Sequence, residues 1–222
     1  MTAGYHRLHF LVEGQSEEIV VNNVLEPYLA EHGWTVSKSI VTTKRPAGSA
    51  NHHGGVSSWT KVEREIKLLL RDSSLDVLTT LFDFYAFPPD APGMSDIPAG
   101  LTPHDRVRHV EQALAATADR RFVPHLILHE LETWVFAAAE QIGCLLPGLA
   151  EQLTKDVQLV GGPELVNDGP DTSPSKRIRR YCPRYTKTSD GPLAIADLGV
   201  DALRNQCPHF DAWLETLHSR LL

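Results

Sequence analysis

His6–Val12 (HRLHFLV) is a short, mostly apolar run that stops at Glu13-Gly14, and the segment continues Gln15-Ser16-Glu17-Glu18. An apolar run bounded by a turn reads as a buried strand. Ser16 then caps a helix over 17–31, with Glu17 and Glu18 in its first turn, where carboxylates complement the helix dipole. Gly33 ends that helix, and 34–41 (WTVSKSIV) alternates as a second strand should. A strand that ends in an acid and a glycine, followed directly by a helix and another strand, is the opening of an α/β fold.

The same unit recurs downstream. Residues 43–57 form a loop rich in glycine, histidine and basic residues, and 58–71 resume helical spacing through Trp59, Val62, Ile66 and Leu69. Residues 76–82 (DVLTTLF) are a strongly apolar strand ending at Asp83. A long Pro/Gly loop spans 84–103, and 104–118 carries a helical pattern. Residues 122–128 (FVPHLIL) are a strand ending at His129-Glu130, and the following helix runs through Trp134 and Val135. Alternating strands and helices argue for a mostly parallel sheet flanked by helices. This predicts an α/β core over 1–140. Residues 141–222 read instead as a helical C-terminal extension packed on it, with short helices and loops at 162–173, 174–182, 193–206 and 208–220.

Composition narrows the class. Across 222 residues, 42% hydrophobic and 22% charged content is enough apolar material to close a core, and the formal net charge of -7 is not that of a dedicated nucleic-acid binder. Any nucleic-acid contact must therefore come from local basic patches, bound cations or a partner chain. No apolar run is long enough for a membrane span, and the N-terminus lacks the pattern of a secretory signal. Cys144, Cys182 and Cys207 are odd in number and far apart, which fits reduced thiols and a cytoplasmic setting.

Ligands of open α/β sheets bind beyond the carboxyl ends of the strands. Three strands end in acid at that edge, at Glu13, Asp83 and Glu130, with Glu17 and Glu132 close behind. Carboxylates gathered there repel one another, and a hard cation such as Mg²⁺ (or Mn²⁺) offsets that repulsion. Glu13 and Glu17 either share one ion or divide as ligand and base. Basic residues cluster at Lys44/Arg45 and at Lys176, Arg177, Arg179, Arg180, Arg184 and Lys187, with Tyr181 and Tyr185 between them. Lys44, Arg45, Arg177, Arg180 and Lys187 are the candidates for following a phosphate backbone, and the tyrosines for stacking bases. His52-His53 reads as a mobile surface pair, and Cys207-Pro208-His209-Phe210 as packing at the start of the last helix.

The strings FLVEGQSEE, LFDFYAFP, HELETWVFA, ELVNDGPDTSPSKRI, DGPLAIADLG and CPHFDAWL resemble the Toprim-like domain-of-unknown-function family 4276, over nearly the whole chain. The closest functional analogy is with the Toprim nucleases of the OLD (overcoming lysogenization defect) type. They carry an ExxxE after the first strand, a DxD, a later acid-x-acid pair and a distal lysine. Glu13/Glu17 match the first, Asp83 the first acid of the second, Glu130/Glu132 the third, and Lys176 stands as the distal lysine. Tyr85 departs from the pattern, because DxD requires an acid there. The resemblance implies a two-metal phosphodiester nuclease with Glu13, Glu17, Asp83 and Lys176 catalytic, acting beside an ATPase in phage or plasmid defence. The sequence has no GxxxxGK[ST] motif, so that ATPase would be a separate chain. Two other readings stay open. One is a non-catalytic Toprim-like binding or regulatory subunit. The other is phosphoryl chemistry on a small nucleotide, with 84–103 as a lid.

Overall fold

The computed structural model describes residues 6–41, 58–85, 87–166, 169 and 172–221. Lys44, Arg45, His52 and His53 lie outside them. Five strands form one parallel sheet: β1 (His6–Val12), β2 (Trp34–Ile40), β3 (Val77–Asp83), β4 (Phe122–Val123) and β5 (Leu126–Ile127). The order is β2-β1-β3-β4, and β5 pairs with β3 beyond β4. The register sets Val12 beside Ile40 and Leu81, so the carboxyl ends of the strands form one edge. The α/β class and mostly parallel sheet expected from the sequence are what the chain adopts.

Both faces of the sheet are covered, which is why its strands read as nearly continuous apolar runs. Side chains alternate across the pleat. Leu8, Phe10 and Val12 of β1 and Val77 and Leu81 of β3 face one core. That core also holds Val20 and Leu25 and the C-terminal residues Trp134, Ile178, Ile195, Phe210 and Trp213. Leu11, Leu78 and Phe82 face the other, against α3 (Trp59–Leu69) and α4 (Pro103–Ala115). Residues after 140 thus share a core with β1 and β3.

Two local readings need correction. The first helix is not capped by Ser16. Its α1 segment (Gln15–Val20) begins after Gly14, whose carbonyl accepts the Glu18 N–H at 3.1 Å. It passes through a π-helical turn (Val21–Leu25) into α2 (Glu26–Glu31). Pro27 explains the turn: it has no N–H to give, and in a regular ladder its ring would press on the carbonyl four residues back.

The strand expected over 122–128 is broken into β4 and β5. Pro124 cannot donate to a ladder. Instead Thr79 Oγ1 donates to Val123 O (2.7 Å), Thr80 Oγ1 donates to His125 O (3.0 Å), and His125 N–H returns a bond to Thr80 Oγ1 (2.9 Å). Two threonines inside an apolar strand thereby satisfy the backbone that the proline leaves unpaired.

The C-terminal half is helical: α5 (Glu132–Ala137), α6 (Ala139–Leu145), α7 (Leu149–Val160), α8 (Pro174–Tyr181), α9 (Asp190–Leu198), α10 (Val200–Gln206) and α11 (Pro208–Ser219). The sequence reading did not anticipate α6 and α7, and it merged α9 with α10.

Candidate metal centre at the strand ends

β1 and β3 deliver Glu13 and Asp83 side by side. Glu13 Oε2 accepts the Asp83 backbone N–H at 3.1 Å. Asp83 Oδ1 in turn accepts the Leu131 N–H at 2.8 Å, which ties β3 to the segment entering α5. His129, with φ 69°, is left-handed, a conformation that costs a non-glycine residue about 1 kcal/mol or more. It turns the chain out of β5 and into Glu130. Gly14 is extended, so its role is space: a Cβ there would lie 3.3 Å from Glu17 Oε2.

Glu17, Glu130 and Glu132 are buried, and Glu13 and Asp83 half-buried. Burial and mutual repulsion act on them together. Glu13 is pushed up to about 7, first by burial and then by Glu17. Asp83 is raised well above the usual aspartate range by burial, Glu13 and Glu17. Glu17 is raised by burial and, against its hydrogen bond to its own backbone, by Glu132.

Lys187 is the cation among these acids. Its Nζ stands 3.0 Å from Glu132 Oε2, with the lysine side chain 32% and the glutamate 3% exposed. The two halves of this pair shift the same way for different reasons. Burial raises Glu132 and outweighs Lys187. Burial lowers Lys187, but Glu132, Glu130 and Asp83 together hold it above its usual value. Tyr185 also hydrogen-bonds Glu132 and is raised well above its usual value, by burial first. A Cβ on Gly191 would fall 2.6 Å from Tyr185 Oη, so this glycine, expected only as part of a turn, makes room for the phenol.

Glu130 is held at both oxygens: Oε2 accepts the Ser175 N–H at 2.8 Å and Oε1 accepts Ser175 Oγ at 3.1 Å. It therefore anchors the first turn of α8.

The sequence-predicted acids Glu13, Glu17, Asp83, Glu130 and Glu132 are thus coupled through space. Three of them do not close to the 4.8 Å spread that one ion would span, judged over the described residues. As a donor set they fit a hard divalent cation: oxygen-only, repelling and partly buried. The basic residues divide. Lys187, expected in a nucleic-acid groove, sits on the carboxylates. Lys176 is exposed on α8, next to the Ser175 that holds Glu130. Arg177 donates to Thr172 O at 2.7 Å and pairs with Asp156 at 3.4 Å, and Arg180 is exposed. Tyr185 is buried, so the expected base-stacking role falls away. Cys207 is buried, and its thiol is raised by burial, in line with packing.

A second polar cluster was missed from sequence. Glu111 on α4, His125 after β4 and His209 on α11 offer ligand atoms within 4.8 Å of one another. Glu164 lies behind it, accepting from His104 Nε2 (3.0 Å), His209 N–H (3.0 Å) and Phe210 N–H (3.1 Å), the last two in the first turn of α11. The one local hint is a histidine within the apolar 122–128 run.

Among solved structures, the C-terminal region of the OLD protein of Xanthomonas campestris pv. campestris is similar at 18% identity and TM-score 0.45. The match covers 98% of this chain and 97% of that one. No curated protein matches the sequence. No helix among the described residues is long and apolar enough to cross a membrane. A family model, Domain of unknown function (DUF4276), matches residues 12–218, and the chain belongs to that family.

Proposed function

We propose that this chain is a Toprim-type, Mg²⁺- or Mn²⁺-dependent phosphodiester nuclease. The observation that carries this reading is the set of five electrostatically coupled carboxylates at the carboxyl ends of parallel strands, with Lys187 set against them. The motif order that resembles Toprim nucleases supports it from the sequence side.

Glu13, Glu17, Asp83, Glu130 and Glu132 would hold the ions. Divalent ions bound there supply Lewis-acid activation of water and neutralise charge on the phosphate. The chain's own groups do the rest. Glu13, pushed up to about 7, has its Oε2 on the Asp83 N–H, which leaves Oε1 to take a proton near neutral pH. Lys187 places a positive charge where charge develops on a phosphate oxygen. Lys176, one residue after the Ser175 that anchors Glu130, would contact the phosphate backbone from the exposed face of α8, with Arg180 beyond it. Lys44 and Arg45, from the sequence alone, are further candidates for phosphate contact. An ATPase partner in phage or plasmid defence belongs to the same reading.

A second reading is a non-catalytic binding or regulatory subunit. Tyr85 in place of a second acid and the double hold of Ser175 on Glu130 favour it.

The deciding experiment is cleavage of mixed DNA and RNA substrates with Mg²⁺ or Mn²⁺ by wild type, Glu13→Ala and Asp83→Ala. Metal-dependent cutting lost in both variants supports the nuclease. No cutting, together with no divalent-ion binding by calorimetry, moves the reading to the binding subunit.

A further inference from the structure

The Glu111, His125 and His209 cluster lies at the opposite sheet edge from β2, where β4 and β5 have no further strand beside them among the described residues. Such an edge normally needs cover, and Glu111 Oε1 accepts the Leu126 N–H of β5 at 2.8 Å. One buried carboxylate would suffice for that. Here the same Oε1 also lies 3.0 Å from His209 Nε2 and 3.5 Å from His125 Nδ1.

His125 is the unexplained member. It is 1% exposed, its Nδ1 stands 3.5 Å from Glu111 Oε1, and neither ring nitrogen has a hydrogen-bond partner. A buried imidazole with neither nitrogen satisfied has given up its hydrogen bonds to water without replacing them. The ring is nonetheless held firmly: it stacks on Trp213 (centroids 4.4 Å, planes 13° apart) and on His209 (4.9 Å, 24°). Trp213 is fixed in turn by its Nε1–H donating to Thr79 Oγ1 at 3.0 Å. The protein therefore fixes an unpaired imidazole against a carboxylate and a second imidazole.

We propose that Glu111, His125 and His209 form a second metal site that takes a divalent transition ion of the Zn²⁺ class, distinct from the strand-end carboxylates. Two imidazoles and one carboxylate are a common Zn²⁺ donor set, with a fourth place left for water or another ligand. Tetrahedral bonds of about 2.0–2.2 Å set donor atoms roughly 3.3–3.5 Å apart, and the 3.0 and 3.5 Å separations bracket that edge length. A purely oxygen-seeking ion such as Mg²⁺ would select the other site.

The outer shell and the entry path are also present. Glu111 accepts the Leu126 N–H, the kind of second contact that orients a ligating group. A cleft of about 290 Å³ lined by Glu111, His209, Trp213, Arg108 and Arg220 opens onto the cluster. An ion bound at its floor would clamp α4, the β4–β5 break and α11 together.

The test uses tag-free full-length chain, stripped of metal and held in excess Mg²⁺, titrated with Co²⁺ and followed by visible absorption. One equivalent of Co²⁺ giving the intense bands of four-coordinate geometry, bleached by Zn²⁺, is expected. Glu111→Gln keeps an acceptor for the Leu126 N–H and should fold, yet weaken Co²⁺ at least roughly tenfold. His125→Asn should do the same. Glu13→Gln, Asp83→Asn and the double variant His52→Ala/His53→Ala should leave the titration unchanged. The proposal is overturned if wild type gives no four-coordinate spectrum. It is equally overturned if Glu111→Gln binds as tightly as wild type, or if the signal disappears with His52 and His53.

Discussion

Glu13 Oε2 and the Asp83 backbone N–H are joined at 3.1 Å, so the acid closing β1 is fastened to the acid closing β3 by the latter's own main chain. The two carboxyl groups cannot drift apart to relieve their repulsion. Burial is the first cause of both raised pKa values; Glu17 then adds to Glu13, while Glu13 and Glu17 add to Asp83 and the Asp83 N–H works the other way on Glu13.

A pH dependence of stability follows. Glu13 has a folded pKa near 7 against about 4.3–4.5 unfolded. Between those values the folded chain holds more protons than the unfolded one, so stability falls as pH rises through this window and levels off above it. Urea titrations from pH 5 to 8 should show this decline. Glu13→Gln, which keeps an acceptor for the Asp83 N–H, should flatten it and leave the protein more stable at pH 8 by on the order of 1 kcal/mol. A variant that declines as steeply as wild type would refute the assignment.

Divalent ions should reverse that decline. The ions favour ionised carboxylates, so Mg²⁺ or Mn²⁺ should raise the melting temperature more at pH 8 than at pH 5.5. A shift equal at both pH values would place the ion elsewhere.

Lys187→Met removes the cation and leaves Glu132 buried without it. A cost of about 1–3 kcal/mol is expected from chemical denaturation, together with loss of any cleavage. Lys187→Arg should recover most of the stability. Lys176→Met, on the exposed face of α8, should leave stability within about 0.5 kcal/mol of wild type.

Gly191→Ala sets a methyl against Tyr185 Oη at 2.6 Å and Val135 Cγ2 at 3.2 Å. Overpacking of this kind costs about 1–3 kcal/mol. Tyr185→Phe in the same chain should recover part of it, because the ring carbon behind the hydroxyl stands at 3.6 Å. Thermal melts of the single and double variants measure the recovery, and an additive double variant would exclude the clash.

Glu164→Ala should destabilise by about 2–3 kcal/mol, since it strips two first-turn N–H groups of α11 of their acceptor. Glu164 is lowered: burial acts against this, but His104 and the His209 and Phe210 N–H groups outweigh it. Its contribution is therefore present above the unfolded glutamate pKa and fades as pH falls. The gap between wild type and Glu164→Ala should narrow in acid, read from the same denaturation curves.

How much of this was legible in the sequence depended on the range of the interaction. The acids ending β1 and β3 were readable because an apolar run closes on a carboxylate within a few residues. The parallel sheet followed from alternating periodicities. The break at Pro124 was not readable, because it is tolerable only with Thr79 and Thr80, more than forty positions earlier, turned towards it. Lys176 is read as the distal lysine from motif order alone. The pairing of Lys187 with Glu132 is set by the chain between α8 and α9, which no spacing rule reports. Glu111, His125 and His209 are scattered over almost a hundred residues, so only folding assembles them.

The double hold of Ser175 on Glu130, with Lys187 on Glu132 beside it, has a consequence for synthesis. The first acid is made at residue 13 and the last charge needed to balance the group at residue 187. A chain emerging from the ribosome carries its carboxylates early but neither the serine that fixes Glu130 nor the lysine. Assembly of the centre therefore waits until the chain has been made through residue 187, and a fragment ending earlier has the acids without Lys187 to balance them.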